Sequence, residues 1–401
     1  MSTIISRREK QLLASLFFLF GVGIMATSPR TPEIKANLHL NNGTFGTFLS
    51  LGAIGSLLAL IFMGDVVHKY GVRPVLIGST IGMYGSIALV PHFHTGWIWL
   101  IDNLVIGFVL SCFHISINAQ AIHRQEQSGQ VLIPVFHGMW SSGALTTAII
   151  AVVITGRVSL AIHIDTLMAL CLGISLYAIH ALRPTLMGPA PYDDEHPKTS
   201  LKTVLGAFTF QPVVIFAMLM ALQLEFANND WATIYSTESL GMGASISILT
   251  YLIFVVAMIS VRFTVPKLFA IRPERFWMRW NPIIGGIGFI CFMLVGISLS
   301  HHNKVEGFVI TLIAFAMGGL GCSFIVPGLF AIAARRSSLP GGVVVALLGV
   351  SNTVLTFIMK VVIAWVAQAV NLTAALMIPA VMLMATSTVA HLGSDKKLVK
   401  E

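Results

Sequence analysis

Residues 184–202 read PTLMGPAPYDDEHPKTSLK. Pro184, Pro189, Pro191 and Pro197 alternate there with Asp193, Asp194, Glu195 and His196. Such a stretch cannot continue a helix and is too polar to be buried, so it reads as a linker. What lies on either side decides the fold. Before it, apolar runs fall near residues 10–28, 44–66, 75–92, 97–121, 130–155 and 161–182. After it they fall near 206–228, 244–265, 281–300, 306–334, 341–366 and 371–392. About 20 apolar residues in a helix cross the hydrocarbon core of a bilayer, whereas barrel strands are about half that length and alternate. The expected fold is therefore an all-α membrane protein. Twelve transmembrane helices form two pseudo-symmetric six-helix bundles, residues 1–183 and 204–401, joined by a linker at 184–203.

Composition agrees. The 401 residues are 56% hydrophobic and only 10% charged, with a mean hydropathy of +0.86. Soluble domains carry about 25% charged residues. The net charge of +8 sits in short segments between apolar runs, with no contiguous basic face for nucleic acid. With the N-terminus inside, nineteen Lys and Arg residues fall in inside segments. Arg30, Lys35, Arg157 and Lys304 fall outside, and Lys360 lies within a helix, which accounts for all 24. This segregation follows the positive-inside rule and predicts an inner (cytoplasmic) membrane protein with both termini cytoplasmic. Arg7, Arg8 and Lys10 precede the first run without a small-residue cleavage site, so that run is expected to stay as a helix. Cys112, Cys171, Cys291 and Cys322 each lie in an apolar run and read as packing residues.

The halves share a faint repeat. Gly107, Ser111, Arg124, Gly129 and Val131 recur as Gly319, Ser323, Arg336, Gly341 and Val343, at one offset of about 212 residues. In the second run, Gly52, Gly55, Ser56 and Ala59 are spaced for close helix packing. Pro134, Pro212 and Pro327 are candidate hinges.

Ionisable groups at membrane depth cost roughly 2.5–3.5 kcal/mol on insertion scales, so each one calls for an explanation. Glu225 falls about two-thirds along the seventh run, with Asn228 and Asn229 on the same helical face. It is the candidate proton-coupling residue, against the alternative of a structural carboxyl tied to a neighbouring helix. His137, Trp140 and Ser141 share a face of the fifth helix and combine stacking surface with directional hydrogen bonds. Their alternative is an interhelical bond in the core. Ser111, His114 and Asn118 make a polar stripe on the fourth helix, which should avoid lipid. Asp102, near the start of that helix, reads as a capping or interfacial carboxylate. Asn352, Thr356 and Lys360 descend the eleventh helix at four-residue steps. Lys360 could pair with Glu225, attract an anionic solute or snorkel to the headgroups. No phosphate loop, metal cluster or nucleophile motif is present, and His92 and His94 have no acid partner nearby in sequence. No cofactor, no metal and no enzymatic activity are expected.

Between the second and third helices the chain reads Gly64-Asp65-Val66-Val67-His68-Lys69-Tyr70-Gly71-Val72-Arg73. Together with the two halves and the linker, this resembles the major facilitator superfamily, whose pattern there is Gly-x-x-x-Asp-Arg-x-Gly-Arg-Arg/Lys. Gly64, Lys69, Gly71 and Arg73 match, while His68 stands in place of the family Asp, with Asp65 three residues earlier. The resemblance makes Gly64, Asp65, Lys69, Gly71 and Arg73 a cytoplasmic gating loop. Asn118-Ala119-Gln120, Phe136 to Ser141, Glu225 and Asp230-Trp231 look like the bacterial YbjJ-like branch near the fucose-permease group. Drug antiporters of the family carry an Arg where this chain has Asn103, and a Gly-Pro-rich fifth helix that is absent here. The resemblance implies a monomeric secondary transporter of a small polar solute, working by alternating access and coupled to protons. Its cavity would be lined by His114, Asn118, His137, Trp140, Ser141, Asn229, Asn352 and Lys360. The alternative is efflux of hydrophobic, drug-like compounds by proton antiport. The expected partners are the solute, the proton and the lipid bilayer, without nucleic acid.

Overall fold

The computed structural model describes residues 5–130, 132–189, 206–207, 209–337 and 341–394. The linker expected at 184–203 therefore lies outside the described residues beyond position 189. So do the terminal Lys396, Lys397 and Lys400, and Val131 of the repeat.

Among the described residues, twelve helical spans are long and apolar enough to cross a membrane. Six precede the linker: Arg7–Asn37, Asn42–Tyr70, Val72–His92, Gly96–Ser128, Val135–Ile154 and Leu160–Ala181. Six follow it: Pro212–Glu238, Ala244–Ile271, Glu274–Ser300, Lys304–Ala333, Leu347–Ala369 and Leu372–Leu392. A helix lies within each of the twelve expected runs. Side-chain caps start several of them: Ser6 Oγ accepts from the Glu9 amide at 3.1 Å, and Asn371 Oδ1 accepts from the Ala374 amide at 2.8 Å. Large apolar side chains point outward along the spans, up to Phe263 at 80% exposed, as lipid-facing helices require.

Several helices are longer than the apolar runs that announced them. The basic segment expected as a loop between the eighth and ninth spans is helical except at Arg272 and Pro273. Arg262 and Lys267 lie within the eighth span and Arg279 within the ninth. Long basic side chains can leave a helix for the headgroups, so charge does not end the helix where the apolar run ends. The seventh span starts at Pro212 and ends at Glu238, which puts Glu225 at its midpoint rather than two-thirds along it. Asp102 lies a turn and a half inside the fourth span and is buried, so it is not a cap.

Contacts divide the chain into two compact units, residues 1–39 with 51–203, and residues 40–50 with 204–401. In the first unit the small residues of the second span do bring backbones together. A Cβ on Gly55 would run into the Leu104 carbonyl, and one on Gly107 into the Gly52 carbonyl. Ser56 Oγ donates to the Gly107 carbonyl at 3.1 Å. Gly21 and Gly143 allow the first and fifth spans the same approach, against Trp140 and Phe18 backbone. The second unit repeats the device: a Cβ on Gly319 would meet the Phe254 carbonyl, one repeat offset from Gly107.

A second contact is also repeated. The Val72 amide donates to the Met187 carbonyl at 3.0 Å, and the Arg275 amide donates to the Ser394 carbonyl at 3.1 Å. Each joins the start of a unit's third helix to the chain that leaves its sixth. Gln120 reinforces the first closure, donating to the Thr185 carbonyl at 2.8 Å and accepting from the Met187 amide at 2.7 Å. Ion pairs stand at the same ends, buried in the first unit and with an exposed arginine in the second. Glu9 and Arg124 approach to 2.6 Å in the first unit, and Glu274 and Arg335 to 3.1 Å in the second.

Gly107→Val should lower the thermal midpoint in detergent by the equivalent of about 1–3 kcal/mol or prevent folding, because neither backbone can yield. Gly173→Ala, which meets nothing within 4 Å, should be nearly silent.

Candidate functional site

Each unit holds a polar patch at membrane depth, and the two differ in chemistry. In the first unit, the fourth span presents His114 and Asn118 one turn apart. Asn118 Nδ2 donates to the His114 carbonyl at 2.8 Å, which turns Oδ1 toward His137 Nε2 at 3.1 Å. In that orientation the imidazole nitrogen must carry the proton. Ser141 Oγ donates back to the His137 carbonyl at 3.2 Å. Aromatic rings surround the imidazoles. Phe17 lies 5.6 Å from His137, and Phe20 lies 5.7 Å from His114 and 6.3 Å from Trp140. The two imidazoles stand 6.4 Å apart, edge to face. The Trp140 indole nitrogen is buried without a hydrogen-bond partner among the described residues. An unmet buried donor costs about 1–3 kcal/mol, so this N–H is poised for an incoming acceptor.

The second unit's patch is charged. The seventh span carries Gln223, Glu225, Asn228, Asn229 and Asp230 within about two turns. Gln223 Nε2 donates to Thr356 Oγ1 at 3.2 Å. Glu225 Oε2 lies 3.4 Å from Nη2 of Arg262 on the eighth span. Lys360 of the eleventh span is 2.7 Å from Asp230 Oδ2 and 5.4 Å from the Phe226 ring centroid. The pairing of Lys360 with Glu225 considered from sequence thus gives way to two separate pairs, because Asp230 lies more than a turn nearer the end of its helix. Asn229 is half-buried on the same helix. Asn352 is 5% exposed and donates to the Leu348 carbonyl at 2.9 Å. Neither polar atom of the buried Asn228 side chain has a hydrogen-bond partner among the described residues.

Sequence reasoning did not find Arg262, which it had counted as an inside-loop charge. It also passed over Arg30, only 1% exposed, which bonds Glu33 at 2.5 and 2.6 Å and His163 Nδ1 at 3.1 Å. His92 does have an acid partner, Asp165, at 3.0 Å, but both are exposed. No group of three metal-ligating side chains occurs among the described residues.

In the loop of Gly64, Asp65, Lys69, Gly71 and Arg73, the second span continues to Tyr70 and the turn falls on Gly71. Gly71 has φ +78° and lies against the backbone of Met187 and Gly188. A side chain would be strained there and would collide, so this glycine is required. Lys69 Nζ lies 5.2 Å from the Tyr70 ring centroid, and Gly64 faces open space.

Comparison with known proteins gives these helices a context. A family model described as Major Facilitator Superfamily matches residues 13–359. An uncharacterised transporter of that type from Yersinia pestis is 26% identical over 332 residues, covering 82% of this chain and 81% of its own. Membrane protein MosC of Rhizobium meliloti is 23% identical over 335 residues, covering 81% and 75%. The crystal structure of the nucleoside transporter NupG superposes with a TM-score of 0.68 at 14% identity, covering 96% of this chain and 98% of that one. That of a D-xylose–proton symporter gives 0.69 at 12% identity, covering 96% of each. At these identities the structural matches show the fold alone.

The Asp230–Lys360 pair yields a stability test. Asp230→Asn should cost about 3–5 kcal/mol by leaving a mostly buried ammonium without its carboxylate, read as a lower thermal midpoint. Asp230→Asn combined with Lys360→Met should recover most of that loss.

Proposed function

Since this chain belongs to the Major Facilitator Superfamily, we propose that it is a proton-coupled secondary transporter that moves a small polar solute by alternating access. One observation carries the proton: Glu225 lies at the midpoint of a membrane span, one-quarter exposed and in a loose 3.4 Å contact with Arg262. A carboxylate bound that loosely can exchange its partner for a proton, whereas the 2.7 Å Asp230–Lys360 pair is held more firmly.

The solute groups are proposed as His114, Asn118, His137, Trp140 and Ser141 in the first half, with Asn229, Asn352 and Lys360 in the second. The unmet Trp140 N–H and the imidazoles supply donors, and the flanking rings supply stacking surface. Gly64, Asp65, Lys69, Gly71 and Arg73 are proposed to gate the cytoplasmic side, with His68 in the position of the family acid. The functional halves are taken as residues 1–183 and 204–401 about the linker. The protein is assigned to the bacterial inner membrane as a monomer with both termini cytoplasmic, in the YbjJ-like branch near the fucose permeases. Its role is transport rather than catalysis. The aromatic ladder of Phe17, Phe20 and Phe136 favours one second reading, efflux of hydrophobic compounds by proton antiport.

Wild type and Glu225→Gln reconstituted in liposomes with an internal pH dye separate these readings. At least one solute from pools of sugars, sugar acids, nucleosides and amino acids should drive proton movement in the wild type and at least about tenfold less in the variant. Equal flux in both would make Glu225 structural. Flux driven only by apolar compounds would establish the antiport reading.

A further inference from the structure

Arg262 lies nine residues short of Ile271, the end of the eighth span, which is about 14 Å along the helix axis. Its second contact has a covalent cause in the tenth span. Pro327 has no N–H, so the carbonyl four residues earlier, at Ser323, has no helical donor. The helix breaks there: one segment ends at Cys322 and the next begins at Ile325. Arg262 Nε donates to the Ser323 carbonyl at 2.8 Å. Asn281 Nδ2 donates to the neighbouring carbonyls of Leu320 and Gly321 at 2.8 and 3.1 Å. The guanidinium is thus anchored to backbone independently of Glu225.

A guanidinium has five N–H donors, and these contacts engage two of them. The Arg262 side chain is 33% exposed and that of Glu225 is 25% exposed, against 20% and 12% for Lys360 and Asp230. Tyr251 of the eighth span and Cys322 of the tenth also feel the charge of Glu225, and neither supplies a cation. When Glu225 takes up a proton, Arg262 stays with Ser323 and loses the counter-charge it has among the described residues. A neutral solute would leave that charge unmet at membrane depth. A monocarboxylate would restore the balance with two parallel N–H···O bonds.

We infer that Arg262 is the anion-binding residue of the transport site and that the transported solute carries a single carboxylate. The inference rests on the proton-coupled reading above. One proton joins a Glu225 carboxylate oxygen while the solute carboxylate replaces it at Arg262, so the net charge of the group is unchanged. No bond within the solute forms or breaks.

The test uses the full-length protein in liposomes with an internal pH dye. One probe pool contains lactate, gluconate and galacturonate; the other contains glucose, fucose and uridine. The wild type should move protons with the acids and not with the neutral compounds. Arg262→Lys, which keeps the charge but loses the fork, should raise the half-saturating concentration at least about tenfold with a smaller change in maximal rate. Glu225→Gln/Arg262→Gln removes both charges together and serves as the folded variant for thermal-shift binding. The acids should raise the melting point of the wild type and not of this pair. Proton flux with the neutral pool alone would overturn the carboxylate assignment and leave proton coupling standing. Acid transport without proton flux would overturn proton coupling, and an unchanged half-saturating concentration in Arg262→Lys would overturn the role of Arg262. If neither pool moves or shifts the melting point, both proposals fall.

Discussion

At hydrocarbon depth no water is available to a backbone carbonyl, so every one must find its donor inside the protein. In the second half of this chain one breach of that rule positions an ion pair. Pro327 deprives Ser323 of its helical donor, Arg262 supplies one from the next helix, and the same guanidinium reaches Glu225 at the middle of the seventh span. An ion pair in the interior is thus held in place by a missing backbone hydrogen bond. The first half has no such breach in its fourth span, and its polar patch is built from neutral amides and imidazoles instead.

These patches depend on helices packed closely enough to aim short side chains at one another. Glycine supplies that closeness between the second and fourth spans, between the first and fifth, and again between the eighth and tenth. The ends of each unit are then tied by the paired contacts at Met187 and Ser394. At Gly107 and Gly319 the faint sequence repeat corresponds to a repeated close approach of helices.

The twelve spans were legible because the bilayer imposes one length and one polarity on each of them. Small-residue spacing at Gly52 and Gly55 was legible for the same kind of reason: only close packing rewards it. Helix ends were not, because backbone satisfaction carries a helix past its apolar stretch. The polar residues from Asn228 to Glu238 remain helical, and this moved Glu225 to the midpoint. Pairings were the least legible. Arg262 was counted as an inside charge, and its partners lie 37 and 61 positions away in the chain. One signal was available: a proline within an apolar run frees a specific carbonyl, and a basic or amide side chain at similar depth is the natural donor. The choice of Asp230 over Glu225 by Lys360 depends on helix phase and depth, which residue spacing alone does not fix.

The fourth and tenth spans occupy equivalent places in the repeat, yet one is a single helix of 33 residues and the other is jointed at Ser323 and Phe324. An unbroken ladder of hydrogen bonds spreads bending over its whole length, while a ladder lacking a rung concentrates it at the gap. These two spans therefore differ in stiffness: the fourth is a rod, and the tenth a lever whose fulcrum is gripped by an arginine.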